Sequence, residues 1–304
     1  MKHFCFLIFL LCSLNCTAQN PYVATAPFLS GLTSPVAIAH CNGILTAASL
    51  MVGERQCADA VAIARRLPDL RVGLHLVLVE GRPVLPAGDL GDLVDHTGCF
   101  RRDIVHTAFD IFLHRRARRQ LAAEIAAQFE AFRATGLSID HVNAHKHIHL
   151  HPTIAAIILA VAPRYGASVL RIPIEPMRVA AAVDATGVSA MTHRLAIMPW
   201  ALALKARARR SGLCSPDQVF GLSWSGAMNE GRLRGLLARL PEGVTEIYTH
   251  PATAGGFEGS APDYRYKEEL AALIAPGTRA ALVTSGARFG GFADVMAGMP
   301  ATRC

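Results

Sequence analysis

No Asp or Glu occurs before Glu54, so the first 53 residues can supply no carboxylate to a metal or to acid–base chemistry. None of the eight cysteines forms a Cys-x-x-Cys pair, which leaves zinc held by cysteines unsupported. Cys5, Cys12 and Cys16 fall in the N-terminal segment, and the remaining Cys41, Cys57, Cys99, Cys214 and Cys304 are an odd, scattered set. That is no disulfide framework for a chain of this size. Aromatic residues make up only 7% of the chain, and they do not interleave with its basic residues as a single-strand nucleic-acid binder requires. Past the N-terminal segment no apolar run is long enough to span a membrane. Internal repeats and low-complexity tracts are also missing.

What is present is a chain of 304 residues, 52% of them hydrophobic, enough for a large core in one α/β domain or two small ones. The net charge of +7 is concentrated in two runs: Arg115, Arg116, Arg118 and Arg119, then Lys205, Arg207, Arg209 and Arg210. Without those eight, 22 basic residues face 23 acidic ones, so nucleic acid is not the expected partner. Solvated helix faces are the plain reading of the two runs. Anionic lipid headgroups are the functional alternative, because the second run follows the apolar, Trp-bearing segment Leu195-Ala196-Ile197-Met198-Pro199-Trp200-Ala201-Leu202-Ala203-Leu204; a peripheral membrane contact would suit it. The first twenty residues, with Met1-Lys2-His3, a nearly continuous apolar stretch to Leu14 and Cys16-Thr17-Ala18, have the pattern of a secretory signal peptide.

From about residue 43, short apolar runs alternate with helical patterns. Strands are expected at 44–51, 72–79, 139–143, 169–174, 219–224, 246–248 and 280–284. Leu121, Ile125, Phe129 and Phe132 share one face of a helix ending near Gly136. Residues 84–103, with Pro86, Gly88, Gly91 and Gly98, suggest a loop insertion. Alternating β and α elements imply parallel strands with crossover helices. Seven strands are visible, and an eight-stranded barrel would need one more before Ile44.

The densest chemical signal is Asp140-His141-Val142-Asn143-Ala144-His145-Lys146-His147-Ile148-His149-Leu150-His151-Pro152, which holds five of the thirteen histidines. Imidazole is a common metal ligand and titrates near neutral pH. His75 lies inside the expected strand at 72–79, and His250 closes the one at 246–248. In a barrel the C-terminal strand ends form the active rim, so three histidine-bearing ends on one rim suit a metal site. Taken singly, His75 or His250 is more simply a satisfied core histidine.

Together, Gly73-Leu74-His75-Leu76, the Glu-Gly-Arg-Pro-Val-Leu-Pro at 80–86, Asp-His-Val-Asn-Ala-His-Lys-His-Ile-His at 140–149 and Tyr248-Thr249-His250-Pro251 resemble the YdjC-like carbohydrate deacetylases. Within that family the similarity is to the branch associated with hopanoid biosynthesis (HpnK-like). Gly43 to Ser49, Arg171-Ile172-Pro173 and Tyr264 to Glu269 add to the resemblance, which runs over roughly residues 38–290. It implies an α/β fold, a distorted (β/α) barrel of the glycoside hydrolase/deacetylase type, with the first strand atypical or missing here. It also implies removal of an N-acetyl group from an amino sugar, with an N-acetylglucosaminyl hopanoid as the glycolipid substrate of that branch. A divalent metal, magnesium or zinc, would be held by one aspartate and two histidines. By motif position those histidines are His75 and His145, and His250 is the general acid. His147, His149, Arg171 and Asp140 are assigned to supporting or substrate contacts. The family opens with an Asp-Asp motif on its first strand, which this chain lacks. The alternative from another class is therefore a non-catalytic carbohydrate- or lipid-binding relative. The expected division is a leader at 1–20, an unmatched segment at 21–37, the deacetylase domain at 38–290 and a tail at 291–304. The resemblance places the protein in the cytoplasm at the inner-membrane face, whereas the leader would export it.

Overall fold

The computed structural model describes residues 5–10, 34–186, 191–257 and 260–296, with residues 5–10 and 191–196 described by their backbone alone. Seven strands are present among them: β1 (Cys5–Leu10), β2 (Ala47–Leu50), β3 (Arg71–Leu76), β4 (Ile139–Ala144), β5 (Gln218–Phe220), β6 (Gly243–Tyr248) and β7 (Arg288–Phe289). The helices are α1 (Pro35–Asn42), α2 (Cys57–Arg66), α3 (Ile104–Leu113), α4 (Arg115–Ala134), α5 (Pro152–Val161), α6 (Met177–Val183), α7 (Met191–Arg210), α8 (Glu230–Leu237), α9 (Tyr266–Ile274), α10 (Pro276–Ser285) and α11 (Phe292–Met296). No described helix is long and apolar enough to cross a membrane.

All paired strands are parallel, and β2 and β6 are buried along their whole length. That follows from covering both faces of a sheet with crossover helices, which turns strands into continuous apolar runs. The expected barrel is not seen as a closed ring among the described residues. The ladders form a three-stranded sheet, β2-β3-β4, and a four-stranded sheet, β5-β6-β1-β7. The strand expected at 169–174 is reduced to two isolated bridges, Val142 with Leu170 and Val169 with Cys214. Pro173 has no N–H to donate and stops the ladder there.

The N-terminal apolar run that has the pattern of a leader supplies β1. Its backbone pairs with β6 from Cys5↔Gly243 to Leu10↔Tyr248 and with β7 at Phe6↔Arg288 and Leu7↔Phe289. The first-strand position is thus filled by a strand with no carboxylate.

The run at 280–284 is helix α10, not a strand. Its apolar residues are bracketed by Pro276 in the first turn and by Gly286, which takes φ +65 just past the end. Those are helix start and stop signals that override a short β-like run. Residues 292–296, expected in the tail, form α11 with Phe292 and Val295 buried.

Helix α4 buries Leu121, Ile125, Phe129 and Phe132 as their spacing predicts. On the same face the Glu124 carboxylate accepts the N–H groups of Val84 and Leu85, at 2.8 and 3.0 Å. The Gln128 amide brackets Val77, accepting its N–H and donating to its carbonyl. These contacts end β3 at Leu76 and fix the loop that follows. Cys41, Cys57 and Cys99 are free, and Cys214 is disulfide-bonded.

Candidate active site at the strand ends

Parallel pairing brings the C-terminal ends of β3 and β4 to one side, where Tyr248 at the end of β6 meets His147 after β4; this is the side on which open α/β sheets bind ligands. His75 is the penultimate residue of β3, His145 follows β4, and His250 follows β6 by two residues.

A buried hydrogen-bond chain runs beneath this rim. Asp140 Oδ2 lies 2.8 Å from His141 Nδ1, and His141 Nε2 lies 2.8 Å from Ser49 Oγ. Asn143 Nδ2 donates to Ser49 Oγ at 2.8 Å, and Asn143 Oδ1 lies 2.5 Å from His75 Nδ1. The chain has a direction. A carboxylate only accepts, so His141 donates through Nδ1, and Ser49 Oγ, which accepts from Asn143, has its O–H left to meet His141 Nε2. The Asn143 carbonyl oxygen then accepts the His75 Nδ1–H, which leaves His75 Nε2 as a bare acceptor. Ser49, His141 and Asn143 are fully buried. Gly73 makes room for the chain, since a Cβ there would come within 2.2 Å of the His141 ring.

Asp140 also accepts the N–H groups of Phe292 and Ala293 at 3.1 and 2.8 Å. Burial works to raise its pKa, but the hydrogen bonds from His141 and from those amides outweigh it and hold the pKa below the ordinary value. The Asp-His-Ser order has the connectivity of a catalytic triad, yet Ser49 is 0% exposed. Its role is to orient His75. Asp140 is a distant support of the site and is not brought to the rim, because it sits near the start of β4 while His145 follows its end.

At the rim, the rings of His75 and His145 meet edge to face with centroids 5.7 Å apart. Burial, then the neighbouring His145, lowers the His75 pKa well below its ordinary value. Burial followed by Lys146 pulls that of His145 down to about 4. Lys146 and His147 take positive φ, +50 and +54, a left-handed conformation that costs non-glycine residues of order 1 kcal/mol or more and clusters at functional sites. It turns His147 against Tyr248, centroids 5.8 Å apart, and against His149 at 6.0 Å. His149 is committed to structure: its Nε2–H donates to the Arg171 carbonyl at 2.8 Å. Arg171 is fully buried and donates through Nε to Glu246 Oε1 at 2.7 Å, with a second bond from Nη2. Its guanidinium lies 5.0 Å from the Tyr248 ring centroid. Arg171 is therefore a paired core arginine whose field reaches the histidines.

His250 packs against Tyr264, with centroids 4.9 Å apart, and Tyr248, at 5.6 Å. Burial, then Arg171 and His145, pulls its pKa down to about 3, so the imidazole rests uncharged. Its backbone N–H donates to Glu269 Oε2, and its Nδ1 lies 3.9 Å from the same oxygen. Burial pushes the Glu269 pKa up to about 7. Ser49, Asn143, Glu269, Tyr248 and Tyr264 were not singled out as site residues from the sequence. Each lies within a segment that carries the family resemblance, Ser49 at 43–49, Asn143 at 140–149, Tyr248 at 248–251 and Tyr264 and Glu269 at 264–269.

The described residues do not complete the expected metal site. No group of three or more His, Cys, Asp or Glu among them could hold a metal ion. The carboxylate beside the His75–His145 pair is Glu80, 4.0 Å from His145 Nε2 and already paired with Lys146. Two imidazoles fall short of the three protein ligands of catalytic zinc sites.

The family model described as YdjC-like protein matches residues 31–284. A carbohydrate deacetylase of Geobacillus stearothermophilus is 29% identical over 252 residues, 82% of this chain and 86% of that protein. Carbohydrate deacetylases of Brevibacillus brevis and Vibrio cholerae are 35% and 38% identical over 148 and 137 residues. Those two matches span 54% and 51% of the relatives, about half their length. A crystal structure from Enterococcus faecalis V583, described provisionally as a cellobiose-phosphate cleavage protein, superposes with a TM-score of 0.71 at 19% identity, covering 96% of this chain and 99% of that one. At that identity it establishes a shared fold.

Proposed function

The chain belongs to the YdjC-like protein family, and on that premise we propose that it is a carbohydrate deacetylase that hydrolyses the N-acetyl group of an amino sugar. The observation that carries this reading is the placement of the neutral His250 imidazole at the end of β6, its backbone N–H anchored on Glu269, on the side that also presents His75 and His145. Hydrolysis of an amide needs a group that takes a proton from water and returns one to the departing amine. A neutral His250 accepts the proton as the water oxygen bonds to the carbonyl carbon. The imidazolium formed is stabilised electrostatically by the Glu269 carboxylate, whose Oε2 lies 3.9 Å from Nδ1. His250 then donates that proton to the amide nitrogen as the C–N bond breaks, giving the free amine and acetate. His75, with a bare Nε2, offers an acceptor to a sugar hydroxyl.

A divalent metal would polarise the carbonyl and lower the pKa of water. His75 and His145 would be two of its ligands, but the described residues do not complete the set, and no step above passes through it. For the substrate, the motifs at 73–76, 140–149 and 248–251 support an N-acetylglucosaminyl lipid of the hopanoid type.

Among the described residues no group of three or more His, Cys, Asp or Glu could hold a metal, which favours a second reading, a relative that binds the glycolipid without turning it over. Acetate release from N-acetylglucosamine-bearing substrates decides between the two. Release that His250→Ala abolishes supports the enzyme; saturable binding without release supports the binder.

A further inference from the structure

Helix α3 carries an apolar ridge that the protein leaves uncovered. Val105, Phe109, Phe112 and Leu113 are 65, 62, 60 and 63% exposed, and their spacing of four, three and one places them along one side of the helix. The opposite side is anchored by Thr107 and Ile111, which are buried. An exposed contiguous apolar stripe on a rigid helix marks an interaction surface.

Its surroundings define the partner. Arg102 is exposed just before the helix, and Arg115, Arg116 and Arg119 are exposed just after it. The Arg118 guanidinium folds back to the last turn of α3, donating to the Phe112 carbonyl at 2.7 Å. The nearby acids are engaged: Asp103 caps the helix through the His106 N–H, Asp110 holds Arg101 at 2.9 Å, and Asp92 takes Arg116 at 3.5 Å, leaving Arg102, Arg115 and Arg119 as the cations of the frame. The ridge is thus an apolar edge framed by cations. Four side chains of this size expose on the order of 400 Å², about half of what each partner buries in a stable dimer. A symmetric dimer on this ridge would also bring its arginines against their own copies.

We infer that α3 and the start of α4 form a docking surface for an anionic lipid bilayer. Phe109, Phe112, Val105 and Leu113 enter the headgroup region, and Arg102, Arg115 and Arg119 sit over lipid phosphates. No described helix is long and apolar enough to cross a membrane. The inference rests on no step of the proposed reaction.

The test is sedimentation of the full chain with phosphatidylcholine vesicles, with and without phosphatidylglycerol. Binding to the anionic vesicles alone is expected, weakened about tenfold or more by Phe109→Asp and lost in high salt. Arg115→Glu with Arg119→Glu should abolish it while leaving the thermal midpoint unchanged, since both side chains are exposed. Failure to sediment with anionic vesicles, or undiminished sedimentation of Phe109→Asp, overturns the inference. So does a concentration-dependent dimer that Phe109→Asp dissociates, which would make the ridge a self-interface.

Discussion

Glu269 accepts the backbone N–H of His250 on one carboxylate oxygen and that of Met228 on the other, the latter at 2.8 Å. Helix α9 thereby pins the loop after β6 by a side chain that is 0% exposed. Glu269→Gln keeps an acceptor for one amide but turns an NH₂ toward the other, leaving two donors face to face. It also removes the charge that would hold a protonated His250. We expect acetate release to fall on the order of tenfold to hundredfold and stability to fall by about 1–3 kcal/mol. An unchanged rate in Glu269→Gln would remove Glu269 from the proposed mechanism.

Stability should decline in acid. Burial lowers the pKa of His149 to about 4 and of His250 to about 3, and those of His75 and His147 also lie well below the ordinary value of 6.5. Below pH 6.5 the unfolded chain binds protons that the folded chain refuses, so each such histidine contributes stability above that pH and loses it as pH falls toward the folded value. For His149, the fall from 6.5 to about 4 is worth up to about 3 kcal/mol. Glu269 works the other way. Its pKa rises from 4.5 to about 7 on folding, so its contribution is full below pH 4.5 and lost as pH rises to 7. Four histidines outweigh one carboxyl, and the urea midpoint should drop steeply between pH 6.5 and 4.5. A flat profile over that window would show that the histidines are hydrated.

The Asp140–His141–Ser49–Asn143–His75 chain makes a separate prediction. Ser49→Ala leaves His141 Nε2 and Asn143 Nδ2 buried without their partner, at about 1–3 kcal/mol. It should free His75 to exchange tautomers, which ¹⁵N shifts of the imidazole report. Gly73→Ala should cost more than an ordinary strand Gly→Ala, because its Cβ would strike the His141 ring. A single His75 tautomer persisting in Ser49→Ala would mean that the chain does not orient it.

How far these features were legible from sequence depended on whether their signal was local. The face formed by Leu121, Ile125, Phe129 and Phe132 is a pattern within one helix and is buried as expected, and the histidine motif at 140–151 is a run of consecutive sequence carried by β4 and the turn after it. Glu269 and Ser49 act across the fold, one on a loop 19 residues earlier and the other on a histidine 92 residues later, and no spacing announces such pairs. The run at 280–284 misled because five apolar-rich residues suit a strand or a helix equally, and only Pro276 and Gly286 decide. The apolar segment at 195–204 drew attention through its Trp, and Ile197, Trp200 and Leu202 are indeed exposed. The stripe on α3 has no sequence signal of its own, since an exposed apolar face and a buried one share the same period.

Zinc titration of the chain as written addresses the metal directly. His75 and His145 lie close enough to share an ion, and no described carboxylate completes the set. Two imidazoles without a carboxylate should bind zinc only weakly, and either His75→Ala or His145→Ala should abolish what remains. His151→Ala should change nothing: His151 is half-buried at the start of α5 and hydrogen-bonds to the backbone of Ala108 on α3. One tight equivalent by calorimetry, lost in His75→Ala, would require a third ligand that the described residues do not provide. Equal loss of binding in His151→Ala and His145→Ala would remove the assignment of the pair, and with it the reading of His145 as the ligand within the histidine motif.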